Sequence, residues 1–172
     1  MLFYPKYAMG DGPCLNASAG YMFLLGGNGD DLKDAPSFGA GLEYNFSWEE
    51  LRSLALTYIY SHHGIEDQPS HFKMDQHVCL LGYRFGMNWR RLNIGTHIGM
   101  GASVMDPRGG YAKGSEVLYA VILGSQVEFR IFNWLHIGPH ASFLMTTDMD
   151  KWIFGGKSNY FVDLGGRLSI YF

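Results

Sequence analysis

The last segment of the chain, residues 161–172, has the sequence FVDLGGRLSIYF and alternates between two kinds of position. The even-numbered positions carry mainly aliphatic residues such as Leu168 and Ile170, whereas the odd-numbered positions include the charged residues Asp163 and Arg167. Period-two alternation of this kind is typical of a β-strand whose two faces meet different surroundings. The segment ends on an aromatic residue, while most soluble domains end in a polar and frayed tail. We therefore expect a terminal strand that is held in place by a neighbour.

The composition is compatible with a membrane protein built from strands. The chain has 172 residues, which suits a single domain, and only 17 % of them are charged, against about 25 % in soluble domains. No run of 18 apolar residues is present, so we expect no transmembrane helix. The mean hydropathy of -0.06 does not argue against a membrane barrel, because such a barrel alternates lipid-facing and lumen-facing residues. With a net charge of -3 and no basic stripe, we expect no nucleic-acid partner.

Eight segments of alternating residues follow one another along the chain. They are residues 14–25, 37–46, 52–62, 72–85, 92–104, 117–131, 135–145 and 160–172. The connections between them alternate in length: the first, third, fifth and seventh are long, and the second, fourth and sixth are short. This asymmetry is typical of outer-membrane barrels, which have short periplasmic turns and longer extracellular loops. The sequence therefore predicts an all-β protein, an eight-stranded antiparallel up-and-down transmembrane β-barrel over residues 13–172, preceded by an N-terminal tail over residues 1–12.

A soluble eight-stranded barrel is the alternative, and the polarity of the two strand faces separates the two interpretations. In residues 37–46, bulky apolar residues alternate with two glycines, Glu43 and Asn45. Glycines beside a few long charged residues suit the narrow interior of an eight-stranded barrel. Apolar stripes on every strand would form a large adhesive surface in water. Because a lipid-facing Arg or Lys costs about 2–4 kcal/mol at the bilayer midplane, we expect the charged faces to line the lumen.

The predicted inward faces carry as many acidic as basic residues. The six inward charged residues are Glu43, Arg84, Glu128, Arg130, Asp163 and Arg167. Buried charges need partners of opposite sign, so we expect these side chains to form one paired network that plugs the lumen.

The fourth segment leaves its register open. Tyr83 and Phe85 face outward around Arg84, but strict continuation of that phase would turn Asp75 and His77 towards lipid. Either a β-bulge shifts the register near Val78, or Asp75 and His77 lie above the membrane.

The ending GRLSIYF, residues 166–172, completes a resemblance to the small outer-membrane barrels of Gram-negative bacteria, of the OmpA-transmembrane-domain and OmpX type. The resemblance covers residues 13–172 and implies a bacterial outer-membrane location with outer-membrane lipid and lipopolysaccharide as surroundings. It implies that Leu168, Ile170 and Phe172 form the signal read by the barrel-assembly machinery. The first residues lack the pattern of a signal peptide, so we expect a mature chain. We expect no cofactor and no enzymatic activity, and a function carried by the external loops or by a partner in a membrane complex.

Two alternatives assign chemistry to particular side chains. The PagL-type lipid A deacylases use a His-x-Ser pair, and His140 and Ser142 in the sequence PHAS resemble it, with Asp163 placed to orient the imidazole. The residues after Ser142 depart from that family's pattern, and both side chains are predicted to face the lumen. We expect no specific metal site; His62, His63 and His71 supply enough nitrogen ligands for adventitious metal binding, but solvent-exposed side chains are the simpler interpretation.

Overall fold

The computed structural model describes residues 12–26, 32–47, 50–65, 73–108, 115–148 and 158–172. These residues form eight β-strands in a single closed sheet, in which every strand pairs antiparallel with its neighbours in sequence. The strands are β1 (Gly12–Gly26), β2 (Ala35–Ser47), β3 (Arg52–Gly64), β4 (Lys73–Trp89), β5 (Leu92–Arg108), β6 (Glu116–Phe132), β7 (Leu135–Thr147) and β8 (Ser158–Tyr171). The predicted all-β barrel is confirmed. Within the described ranges, no helix has the length and apolar character needed to cross a membrane.

The predicted segments coincide with the eight strands, and their ends differ by four residues or fewer. The largest differences are at the ends of β4 and β5, which continue to Trp89 and Arg108; the β4–β5 turn therefore has two residues, Arg90 and Arg91. The predicted N-terminal tail lies outside the described residues except for Gly12, with which β1 begins.

The last strand closes the sheet against the first. Leu15 pairs with Ile170 and Ala17 with Leu168 along the β1–β8 seam, and the amide of Phe172 donates to the carbonyl of Pro13 at 3.2 Å. Lipid offers no hydrogen-bond partners, so a spanning sheet must close on itself. The expectation that the terminal strand is held by a neighbour is therefore confirmed.

Side chains alternate between the outside and the inside of the barrel as predicted. The outward positions carry large apolar side chains that are exposed on the isolated chain, among them Leu15, Phe38, Leu42, Leu54, Leu81, Phe85, Ile98, Leu123, Phe129 and Ile137. The inward positions carry buried polar side chains, among them Asn16, Ser37, Glu43, Ser53, Arg84, Asn93, Gln126, Glu128, Asp163 and Ser169.

One half of the lumen differs from the predicted polar filling. Near the ends of the strands that carry the long loops, an apolar cluster fills the interior, with Met22, Ile59, Val78, Leu80, Met105, Ile122, Leu144 and Phe161 among its members. Polar side chains fill the other half, towards the short turns. The difference arises because the inward positions in the middle of β3 and β4 are aliphatic, Ile59, Val78 and Leu80, while buried polar residues, Ser61, His63 and Gln76, follow nearer the loops.

The register of β4 is continuous on both sides. Its pairing runs without a shift from Lys73 opposite Arg108 to Trp89 opposite Leu92, so no bulge interrupts it near Val78. The predicted alternative of a β-bulge near Val78 is therefore wrong. Asp75 faces outward with the apolar stripe of β4, yet only 4 % of its surface is exposed.

Candidate functional site

Four charged side chains form a ring of ion pairs across the lumen. Arg84 donates from Nη1 to Glu43 Oε2 and from Nη2 to Glu128 Oε2, both at 3.0 Å. Arg167 donates from Nη2 to Glu43, and its Nε lies 3.2 Å from Glu128 Oε1. These residues come from β4, β2, β6 and β8, which are alternate strands around the barrel. Each carboxylate therefore lies between both guanidinium groups, and the charged ring spans the interior from wall to wall.

Neutral side chains complete the hydrogen bonding of the two carboxylates. Donors from three strands surround them: Asn16 (3.2 Å) and Ser53 (3.4 Å) donate to Glu43, while Ser169 (2.6 Å) and Tyr171 (3.3 Å) donate to Glu128. Both carboxylates are buried. A buried ion pair is stable only when its remaining hydrogen-bonding capacity is satisfied in this way.

Inward glycines make room for the large polar side chains. A Cβ atom on Gly95 would lie 2.9 Å from Arg84 Nε, and one on Gly124 would lie 2.3 Å from Cε1 of the His97 ring. Such distances are shorter than van der Waals contact, so a larger residue at either position would displace the polar side chain. The glycine-rich inward faces seen in the sequence thus hold the space that the charged ring and the histidines occupy.

The structure does not bring all six predicted charged residues into this ring. Asp163 lies four positions before Arg167, which is about 13 Å along a strand, and its Oδ2 is 3.1 Å from His140 Nε2. Its other oxygen accepts a hydrogen bond from Ser37. Arg130 lies at the turn end of β6 and donates to the carbonyl of Arg90 at 2.8 Å. Alternation predicts correctly that Asp163 faces the lumen, but it does not specify the height of a residue in the barrel.

A small cavity lies between the charged ring and the apolar cluster. It has a volume of about 40 Å³, and its lining includes His97, Gln126, His140 and Ser142. Both polar side-chain atoms of Gln126, with Nδ1 of His97 and of His140, are buried without a protein partner. A cavity of this size accommodates a few water molecules and is too small for an acyl chain.

The three candidate catalytic residues lie together but inside the barrel. Ser142 is opposite Asp163 in the β7–β8 register, and Asp163 contacts His140 as described above. All three side chains are buried in the lumen. They are therefore separated by the barrel wall from the surface that would contact lipid.

The candidate metal ligands do not share a site. His62 and His63 are consecutive residues of β3, so their side chains point to opposite sides of the wall. His63 lies inside, 2.8 Å from Ser61 Oγ, whereas His62 lies outside and contacts Asp75. His71 lies outside the described residues. Among those that are described, no three His, Cys, Asp or Glu side chains are grouped to hold a metal ion.

An outward polar cluster near the loop end was not predicted from the sequence. Asp75 accepts hydrogen bonds from Tyr60 at 3.1 Å and from Nε of Arg108 at 2.8 Å, and it also contacts His62. The break in apolar alternation at positions 75 and 77 was the signal, but the partners come from two other strands. These contacts explain how a carboxylate on the outer wall is shielded from its surroundings.

The residues of the predicted assembly signal lie on the seam and at the turn end. Leu168 and Ile170 occupy outward positions of β8, and Phe172 follows the strand with 73 % of its surface exposed. Their role in assembly stays a prediction.

Comparisons with known proteins identify the fold. No family model matches the chain, and no curated protein matches it. Among solved structures, Neisserial surface protein A (NspA) is 9 % identical with a TM-score of 0.68, over 93 % of this chain and 97 % of that one. Ail, the attachment invasion locus protein of Yersinia pestis, is 16 % identical with a TM-score of 0.55, over 92 % and 99 %. The outer membrane enzyme PagL is 12 % identical with a TM-score of 0.54, over 92 % and 99 %. At these identities the likeness concerns the fold, and one of the proteins that share it is an enzyme.

Proposed function

We propose that this chain, which has the fold of the small bacterial outer-membrane β-barrels, is an integral outer-membrane protein with a sealed lumen that acts at its surface. We place the short turns on the periplasmic side of the membrane and the long loops on the external side, as in other outer-membrane barrels. The observation that carries the proposal is the charged ring of Glu43, Arg84, Glu128 and Arg167, which crosses the interior with all four side chains paired.

Two obstacles in series support a sealed interior. An eight-stranded barrel is just wide enough for side chains to fill it. A solute entering from the turn end meets the charged ring, where passage requires the separation of buried ion pairs. A solute entering from the loop end meets the apolar cluster, in which a polar group would lose its hydration. Neither barrier offers a continuous aqueous path.

A barrel that does not conduct solutes has its external loops and outer wall available for function. The four long connections are polar or glycine-rich and are placed by the proposal on the external side. We assign the function to these loops or to a partner protein in the membrane, with outer-membrane lipid and lipopolysaccharide surrounding the wall and the barrel-assembly machinery acting during biogenesis.

Planar bilayer recordings test the sealed lumen. We expect the purified, refolded protein to insert without stable single-channel steps, and the variant Arg52→Gln to behave identically, because Arg52 pairs with Glu50 outside the lumen. Stable, reproducible steps from the wild type would contradict the proposal. Folding is checked beforehand by the shift in electrophoretic mobility between unheated and heated samples.

A second candidate function, hydrolysis of a lipid A acyl ester, is favoured by one observation. His140 and Asp163 form the imidazole–carboxylate pair that a Ser-His-Asp arrangement requires. Against it, the neighbouring cavity of about 40 Å³ does not accommodate an acyl chain. Mass spectra of lipid A from cells with the wild type, with His140→Ala, and without the protein decide the question. Spectra that differ only when His140 is intact would establish the hydrolase, with His97→Ala as the control for a disturbed lumen.

A further inference from the structure

The turn between β4 and β5 places two arginines in succession at the membrane edge. Arg90 has a φ of +57°, in the left-handed region, and is the first residue of a two-residue hairpin turn. Glycine, asparagine or aspartate is usual at such positions, and other residues are strained there. Strained residues of this kind concentrate at functional sites. Leu51 in the β2–β3 turn also has a positive φ of +46°, but its side chain is buried, whereas that of Arg90 is exposed and gains no burial in return.

An open groove of about 720 Å³ lies next to this turn. Its lining combines apolar residues of the outer wall with basic residues at the rim: Trp89, Leu92 and Phe129 with Arg90, Arg91 and Arg130. Trp89 is 58 % exposed, and the guanidinium carbon of Arg90 lies 5.6 Å from the centre of its ring. This distance permits a cation–π interaction, which orients the Arg90 side chain over the apolar part of the groove.

The groove is fixed by contacts between two hairpins. Arg130 donates from Nη2 to the carbonyl of Arg90, and its backbone amide donates to the carbonyl of Arg91, both at 2.8 Å. Arg130 thus positions the turn, while Arg90 and Arg91 supply the accessible charge.

The two turn arginines carry positive charge that is not neutralised within the described parts of the chain. Neither Arg90 nor Arg91 forms an ion pair with a described carboxylate, whereas Arg52 pairs with Glu50 and Arg108 with Asp75. An anion supplied from outside would provide the missing counter-charge. The apolar part of the groove is continuous with the lipid-facing wall, so the complementary ligand has an anionic head and apolar chains.

We propose that this groove binds an anionic glycerophospholipid of the periplasmic leaflet. The phosphate contacts Arg90 and Arg91, and the acyl chains lie against Trp89, Leu92 and Phe129. The inference rests on the membrane orientation proposed above, which places the short turns on the periplasmic side. A basic residue near an anionic membrane surface contributes about 1 kcal/mol, so the two arginines together correspond to a preference of about thirtyfold for an anionic over a zwitterionic lipid.

Native mass spectrometry of the detergent-solubilised, refolded barrel tests the site. The protein is titrated with phosphatidylglycerol and with phosphatidylcholine of identical acyl chains. We expect one phosphatidylglycerol to bind about thirtyfold more tightly, and Arg90→Ala with Arg91→Ala to abolish this preference. Arg52→Ala, at a neighbouring turn, should keep it. Equal binding of the two lipids by a wild type that folds and inserts normally would overturn this inference and leave the proposed function standing. Displacement of the lipid by millimolar inorganic phosphate would also overturn it.

The variant Arg90→Gly separates binding from turn formation. Glycine relieves the left-handed strain, so the unfolding midpoint in urea should stay the same or rise while the lipid preference falls at least fivefold. A purely structural role for Arg90 predicts the reverse, with a lower midpoint and an unchanged preference, and that result would refute the proposal.

Discussion

Replacing Arg84 with methionine measures how completely water is excluded from the lumen. Arg84 is 1 % exposed and donates to two buried carboxylates at 3.0 Å. Methionine has a similar length but leaves Glu43 and Glu128 to share the single guanidinium of Arg167. Removal of one partner from a buried ion pair costs about 3–5 kcal/mol. We expect the free energy of unfolding of Arg84→Met to fall by about 4 kcal/mol.

The effect should be partly reversed when the excess charge is also removed. In the double variant Arg84→Met, Glu128→Gln, one carboxylate becomes a neutral amide and one remains paired with Arg167. We expect a recovery of about 2 kcal/mol relative to Arg84→Met alone, and the single variant Glu128→Gln completes the double-mutant cycle that gives the coupling energy between the two residues. Reversible urea unfolding in short-chain phosphatidylcholine vesicles, followed by tryptophan fluorescence, gives these free energies.

An exposed ion pair provides the matched control. Arg52 and Glu50 have side chains that are 51 % and 60 % exposed, and Arg52→Met should therefore cost less than about 1 kcal/mol. If Arg84→Met costs no more than Arg52→Met, water reaches the charged ring and the argument for a sealed interior is wrong.

Three further predictions concern packing, the outer wall and assembly. A Cβ atom on Gly138 would lie 1.8 Å from a backbone carbonyl oxygen, so Gly138→Ala should lower the free energy of unfolding in urea by about 1–3 kcal/mol. A Cβ atom on Gly166 would have no atom within 4 Å, so Gly166→Ala should change that free energy by less than about 0.5 kcal/mol. Equal effects of the two variants would contradict the described packing around Gly138. Asp75→Asn should destabilise by about 1.5–3 kcal/mol in the same assay because it weakens charge-assisted hydrogen bonds, whereas Asp106→Asn, at a looser 4.0 Å contact, should cost less than about 1 kcal/mol. Phe172→Ala should reduce the amount of folded barrel in cell membranes while leaving refolding into detergent unchanged, and an equal loss in both would argue against an assembly signal.

Alternation of side chains made the fold predictable because it reports a local property. In β2 and β8, the face that a residue occupies can be inferred from the polarity of the residue and its two sequence neighbours. The lengths of the connections then indicate which ends of the strands are joined by short turns. Closure of β8 onto β1 follows, since a sheet in lipid has no acceptable open edge. These features depend on the alternation of side chains along each strand and on the surrounding lipid. They do not depend on the register, that is, on how far one strand is displaced along its neighbour.

Membership of the charged ring was less predictable because it depends on that displacement. Asp163 faces inward as expected but lies at another height in the barrel and contacts His140, while Arg130 lies at the turn end and donates to the carbonyl of Arg90. The contacts of Asp75 were missed for a related reason, since its partners on β3 and β5 become neighbours only when the register is known. His62 and His63 occupy opposite faces because β3 continues to Gly64, beyond the predicted segment 52–62, which places His63 in the loop.

The position of the charged ring has a consequence for the order in which the barrel forms. Glu43 and Arg167 are 124 residues apart, and Arg84 is 41 and 44 residues from its two partners. A sheet of the first six strands would hold Glu43, Arg84 and Glu128, and thus one negative charge in excess, with lipid beside it. Arg167 on the last strand neutralises this excess. We expect insertion to be all-or-none, because only the fully closed cylinder satisfies the electrostatics of its own interior.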